Sequence, residues 1–139
     1  MKRAIIVIVV MLFITSPSIL FANEAADLPQ TFIKLILEGK VSEAVDQYFS
    51  TNPLMSQKTQ QIQMVKTQIE GAFQIFGKPY SFEVIAVDDL APSLRRFVFI
   101  TKHDNNPLTW EFYVYKTKDS WIAANMNFND NFSLTAPRK

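Results

Sequence analysis

Four runs of aromatic and β-branched residues decide the fold. They read YSFEVIAVDDL (80–90), LRRFVFITKH (94–103), LTWEFYVYK (108–116) and WIAANMNF (121–128). The breaks between the runs carry Pro, Asn, Asp or Ser, which are turn-forming residues. Because aromatic and β-branched residues favour strands, residues 80–128 are predicted to form a four-stranded antiparallel meander.

The two central runs lack the alternation of apolar and polar residues that is typical of a sheet with one solvated face. In the third run Trp110 and Phe112 point to one side, whereas Tyr113 and Tyr115 point to the other. We therefore expect helices to cover one face of the sheet and a second subunit to cover part of the other. Tyrosines are also common on monomer surfaces, so the sequence allows both a homodimer and a monomer.

The upstream residues are predicted to form helices. Asp27 fits the N-cap of a first helix, which Gly39 ends in a left-handed conformation. A second, short helix begins near Val41 and ends before Asn52. The third helix spans about residues 54–76 and carries an apolar stripe with a seven-residue repeat. Its length matches that of the strands, so we expect it to lie along the sheet.

The first 22 residues have the three parts of a secretory signal peptide, namely a basic start, an apolar stretch and a polar tail with a proline. The apolar stretch, residues 4–14, is shorter than the about 20 residues that span a membrane. Cleavage after Ala22 leaves residues 23–139 as a single α+β domain. We therefore expect a secreted, periplasmic protein with no stable membrane anchor.

Composition argues against several kinds of site. The chain has no cysteine, so neither disulfides nor thiolate metal sites are expected. Losing Lys2 and Arg3 with the signal changes the formal net charge from +1 to −1, and no basic run indicates a nucleic-acid partner. No glycine-rich loop predicts a phosphate-bearing cofactor. We expect no cofactor.

Two sets of polar residues in the sheet are predicted to face solvent. His103 is the only histidine and follows the second run, so it is interpreted as an exposed turn residue rather than a metal ligand or a base. Arg95 and Arg96 point to opposite faces of one strand and are interpreted as two solvated side chains.

The segment GKVSEAVDQYF (39–49) is similar to the helix-turn-helix start of the nuclear-transport-factor-2-like proteins, within the cystatin-like superfold. That group includes ketosteroid isomerase and many small secreted bacterial domains. The resemblance covers nearly the whole of residues 23–139 and rests on a packing pattern. It implies helices packed on a curved four-stranded meander, a cone with a pocket between helix and sheet, and dimerisation through the sheet in many members.

Three functions are compatible with these residues. The leading hypothesis is a non-enzymatic domain that binds a small apolar ligand or a protein partner through the pocket or the exposed sheet face. The alternatives are a small isomerase- or dehydratase-type enzyme with a pocket carboxylate and a tyrosine, and a structural homodimer. No catalytic residue is assigned, and Glu111 fits both a solvent-facing and a pocket position. The candidate ligand-binding residues are Tyr48, Trp110, Glu111, Phe112, Tyr113 and Tyr115.

Overall fold

The computed structural model describes residues 24–132, in which four helices precede four strands. The proposed signal peptide, residues 1–22, lies outside the described residues. The elements are α1 (Glu24–Leu37), α2 (Val41–Ser50), α3 (Pro53–Ser56), α4 (Thr59–Phe76), β1 (Ser81–Ala91), β2 (Leu94–Lys102), β3 (Leu108–Lys116) and β4 (Trp121–Asn129). The predicted α+β class is confirmed.

The four strands form one open antiparallel sheet in the order β1-β2-β3-β4. Each strand pairs with the next one along the chain, so the predicted meander is confirmed. Two irregularities interrupt β1, one between Val84 and Ala86 and one between Asp89 and Ala91. A third interrupts the pairing of β3 with β4 next to Tyr113.

The long third helix of the prediction is in fact two helices. Asn52 starts the short α3, because its side-chain oxygen accepts hydrogen bonds from the backbone N–H groups of Leu54 (3.0 Å) and Met55 (3.4 Å). Lys58, with a ψ of 59°, leaves the helical conformation before α4 begins. The helix α1 also begins at Glu24, so Asp27 lies within its first turn and is not the N-cap.

The end of α1 follows the prediction. Gly39 has a φ of +78°, and its N–H donates to the carbonyl of Ile36 at 3.0 Å. The N–H of Lys40 donates to the carbonyl of Leu35 at 2.9 Å. These two bonds form a Schellman motif, which occupies carbonyls at the helix end and turns the chain into α2.

The helix that covers the sheet is α1, and the expectation that the long helix would do so is wrong. Helix α1 contacts β2, β3 and β4, whereas α4 packs against α2. The apolar stripe of α1 is the one that packs on the aromatic face of the sheet: Phe32, Ile33 and Ile36 are fully buried, whereas Ile69 is the one buried residue of α4. The helices therefore form two layers on one side of the sheet.

Aromatic rings fill the space between α1 and the sheet. The ring of Phe32 lies 5.2 Å from that of Phe112 and 5.6 Å from that of Trp110, measured between centroids. Phe112 also contacts Phe99 at 5.8 Å and Tyr48 at 5.4 Å in edge-to-face geometry. Such pairs contribute beyond their buried area. This aromatic cluster is the centre of the core.

Candidate functional site

The register divides the predicted sheet residues between two faces. Phe97 lies opposite Phe112, and Phe99 lies opposite Trp110, so these four rings share the face that α1 covers. Glu111, Tyr113 and Tyr115 alternate with them on β3 and belong to the other face. The structure therefore does not bring the six candidate residues together in one site.

Tyr48 reaches the sheet from α2 at the irregularity between β3 and β4. Its hydroxyl oxygen lies 3.1 Å from the backbone carbonyl of Tyr113 and 3.0 Å from that of Asn125, so the two carbonyls share its single proton. The side chain is buried, and this burial raises the pKa of Tyr48 far above its ordinary value of 10.0. These contacts indicate that Tyr48 joins α2 to the sheet.

Arg96 lies at the centre of a buried ionic cluster on the outer face of the sheet, where the sequence predicts a solvated side chain. Its guanidinium pairs with Glu111 and with Asp88, the latter at 2.7 Å. The hydroxyl of Tyr113 donates to the same oxygen of Glu111 at 2.8 Å. Cross-strand register explains the cluster, because Asp88 lies directly opposite Arg96 on β1.

The electrostatics of this cluster favour the charged guanidinium. Burial alone would lower the pKa of Arg96, but the hydrogen bonds with Glu111 and Asp88 outweigh it and raise that pKa above its usual value. Arg95, on the inner face, forms an ion pair with Asp89 (2.7 Å) and lies 5.3 Å from the centroid of the Trp121 ring. Both arginines are therefore paired with carboxylates rather than freely solvated.

Several side chains at the centre of the outer face are buried. Val98 and Thr109 are fully buried, and Arg96 and Glu111 are nearly so. Tyr115, nearer the end of β3, is exposed.

His103 is buried, so its interpretation as an exposed turn residue is wrong. Its Nδ1 lies 2.7 Å from the carbonyl oxygen of Gly77, and its Nε2 lies 2.8 Å from the hydroxyl oxygen of Thr101. Because a carbonyl can only accept, the network assigns the proton to Nδ1. Nε2 then accepts from Thr101, whose oxygen accepts from the indole N–H of Trp110 at 2.8 Å. The chain of bonds ties the end of α4 to β2 and β3.

A cleft of about 660 Å³ opens on the helical side, away from the sheet. We call it the helical cleft; it lies between the end of α1, the start of α2 and the end of α4. Ile36, Val41 and Phe73 form an apolar floor. Glu38, Glu70, Gln74 and Lys78 supply its polar groups. This combination is typical of ligand sites.

Two charged groups of the cleft are uncompensated. Glu38 pairs with Lys40 at 2.8 Å. Within residues 24–132, neither Glu70 nor Lys78 forms an ion pair. An acidic and a basic group therefore flank the apolar floor and can both take up a partner of opposite charge.

The helical cleft was not predicted from the sequence. Its walls come from residues 36–41, 70–74 and 78–79, which only the packing of α4 on α2 brings together. The one signal within the sequence is the polar side of the third helix, where Glu70 and Gln74 are four residues apart and share a helical face.

The described residues contain no group of three or more His, Asp or Glu side chains that could hold a metal ion. None of the helices within residues 24–132 is long and apolar enough to cross a membrane. No protein-family model, no curated protein and no solved structure matches the chain.

Proposed function

We propose that this protein is an exported, non-enzymatic binding domain that takes a small amphipathic molecule in the helical cleft. The observation that carries the proposal is the cleft itself, with its volume of about 660 Å³ and its apolar floor. Small-molecule sites are typically apolar concavities of about 300–1,000 Å³ with a few polar groups that orient the ligand. The apolar part of the ligand would lie against Phe73, and its charged groups would meet Glu70 and Lys78.

Export is proposed from residues 1–22, whose pattern is that of a secretory signal peptide. In a Gram-negative host the domain would act in the periplasm. The absence of cysteine from the sequence means that its stability there would rest on the packed aromatic core, without disulfides.

The alternative of an isomerase- or dehydratase-type enzyme gains less support. Such an enzyme needs a carboxylate and a hydrogen-bond donor that face a substrate pocket. Glu111 and Tyr113 do meet at 2.8 Å, but the carboxylate is also paired with Arg96 and does not line the helical cleft. The pocket that the resemblance implies, between helix and sheet, coincides with the aromatic cluster.

A larger side chain that obstructs the cleft tests the proposal. Gln74 lines the cleft and is exposed, so the larger side chain of Gln74→Trp would occupy part of the cleft and obstruct a ligand without disturbing the core. Gln68→Trp, at another exposed position of α4, is the matched control. The probe is N-phenyl-1-naphthylamine, a neutral dye whose fluorescence increases on apolar surfaces.

We expect the dye to bind wild type and Gln68→Trp with similar affinity, and Gln74→Trp at least about tenfold more weakly. Equal binding by all three proteins would place the dye elsewhere and overturn the proposal. Absence of binding to wild type would also count against an accessible apolar floor.

A further inference from the structure

Strand β1 is an open edge of the sheet. It pairs with β2 on one side only, and it is the longest strand, with 11 residues. Alternate N–H and C=O groups on its free side have no strand partner within the described part of the chain. An edge of this kind is a template for pairing with another strand.

The side chains of β1 make this edge apolar. Val84, Ile85, Val87 and Leu90 are 52%, 38%, 56% and 45% exposed. Four exposed large apolar side chains thus lie within seven consecutive residues of one strand. Scattered apolar residues are normal on a surface, whereas a contiguous group indicates an interaction site.

The charges that usually protect an edge strand are neutralised in β1. Natural edges are protected by free charges, especially lysine, by proline or by β-bulges. Strand β1 contains neither lysine, arginine nor proline, and its two irregularities leave Ala86–Asp89 regularly paired with β2. Its three carboxylates all pair with bases of β2. The pairs are Glu83 with Lys102, Asp88 with Arg96, and Asp89 with Arg95. The edge therefore presents little net charge to an approaching strand.

The opposite edge of the sheet, strand β4, is more polar, and part of its backbone is hydrogen-bonded to the helices. Strand β4 exposes Asn125 and Asn127. The backbone of Ala123 is occupied, because its N–H donates to the hydroxyl of Thr51 (2.9 Å) and its carbonyl accepts from the side chain of Asn52 (2.7 Å). One edge of the sheet is thus polar and partly covered, whereas the other is apolar and open.

We infer that β1 pairs antiparallel with β1 of a second copy of this chain, which makes a homodimer with a continuous eight-stranded sheet. Charge is compatible with this partner: each carboxylate of a second β1 is paired with a base of its own β2, which weakens the repulsion between the two acidic strands. A two-fold axis at Val87 lies within Ala86–Asp89, the regularly paired stretch between the two irregularities, and places Val87 opposite its symmetry mate. Such a pairing is isologous, because both copies contribute the same residues.

A single introduced cysteine tests the register. The chain has no cysteine of its own, so any disulfide in a one-cysteine variant links two copies. Directly opposite residues of antiparallel strands have Cα atoms about 4.5–5.5 Å apart, within disulfide range. We expect Val87→Cys to form disulfide-linked dimers under mild oxidation and Ile75→Cys, an exposed position on α4, to remain mostly monomeric. Equal cross-linking of both variants would overturn the inference.

Sedimentation tests the dimer without cross-linking. Wild type is expected to sediment as a dimer, and Val87→Lys, which restores a charged edge, is expected to dissociate about tenfold more readily or more. Ile75→Lys is the control and is expected to dimerise like wild type. If wild type stays monomeric up to about 100 μM, the inference is wrong. This holds even if the β1 edge binds a strand of another protein.

Discussion

Two buried threonines of the sheet differ in what their hydroxyls contact. Thr101 receives the indole N–H of Trp110 and lies 2.8 Å from Nε2 of His103. Thr109 is equally buried, but its hydroxyl has no hydrogen-bond partner among the described residues. The same substitution at the two positions therefore separates the contribution of the hydrogen bonds from that of the methyl packing.

Thr101→Val is expected to lower the free energy of unfolding by about 1–3 kcal/mol, because it leaves two buried polar groups without partners. Thr109→Val is expected to be neutral or to stabilise by up to about 1 kcal/mol, because it removes a hydroxyl that burial penalises. Urea denaturation at neutral pH measures both changes. Equal destabilisation by the two variants would contradict the hydrogen-bond network.

Tyr48 makes stability depend on alkaline pH. Because its pKa is raised in the folded state, its contribution is full below the ordinary pKa of 10.0 and is lost as pH rises above that value. Tyr48→Phe is expected to cost about 1–2 kcal/mol at pH 7, since the two backbone carbonyls lose the one donor that they share. The difference from wild type should shrink above pH 10 in chemical denaturation. Tyr80→Phe, at an exposed position, should show neither effect.

The sequence predicts which face of the sheet a residue lies on, but not the contacts that bury its polar residues. The alternation of Trp110 and Phe112 with Tyr113 predicts the two faces of β3 correctly, because strand periodicity is a local property. The burial of Arg96 and His103 depends on partners elsewhere in the chain. Asp88 reaches Arg96 through strand register, and Gly77 reaches His103 through the end of α4. Neither contact has a local signature.

In the helices, a Gly→Ala substitution is expected to have opposite effects at two positions. Gly39 has a φ of +78°, so Gly39→Ala is expected to cost about 1–2 kcal/mol of backbone strain. Gly71 lies within α4, and a Cβ atom there would meet nothing within 4 Å. Gly71→Ala is therefore expected to stabilise by about 0.5–1 kcal/mol. Thermal unfolding measures both, and destabilisation by Gly71→Ala would indicate a close backbone approach that the structure lacks.

The strands and the end of α1 are predictable from sequence because their signals are local: β-branched runs, turn residues and a glycine at the helix end. The choice of α1 as the helix that covers the sheet is not predictable in this way. Both α1 and α4 are amphipathic. The periodicity of a helix shows which of its faces is buried, but it does not show which element packs on that face. Because the long helix matches the strands in length, it was the expected cover of the sheet, and this expectation is wrong.

At the scale of the whole molecule, the distribution of surfaces supports a binding role. The aromatic cluster fills the space between α1 and the sheet, and the middle of the outer face is buried. Among residues 24–132, the helical cleft and the β1 edge are two features with apolar surface open to a partner. They lie on different elements, so the proposed dimer leaves the residues of the cleft out of its interface.

Native mass spectrometry of the protein purified from its own host shows whether the helical cleft holds a ligand. We expect a non-covalent adduct of a few hundred daltons, about the size that a 660 Å³ cleft accommodates. Gln68→Trp should retain the adduct, and Gln74→Trp should lose it. An adduct that Gln74→Trp retains in full, or wild type that carries none under non-denaturing conditions, would contradict ligand binding in the helical cleft.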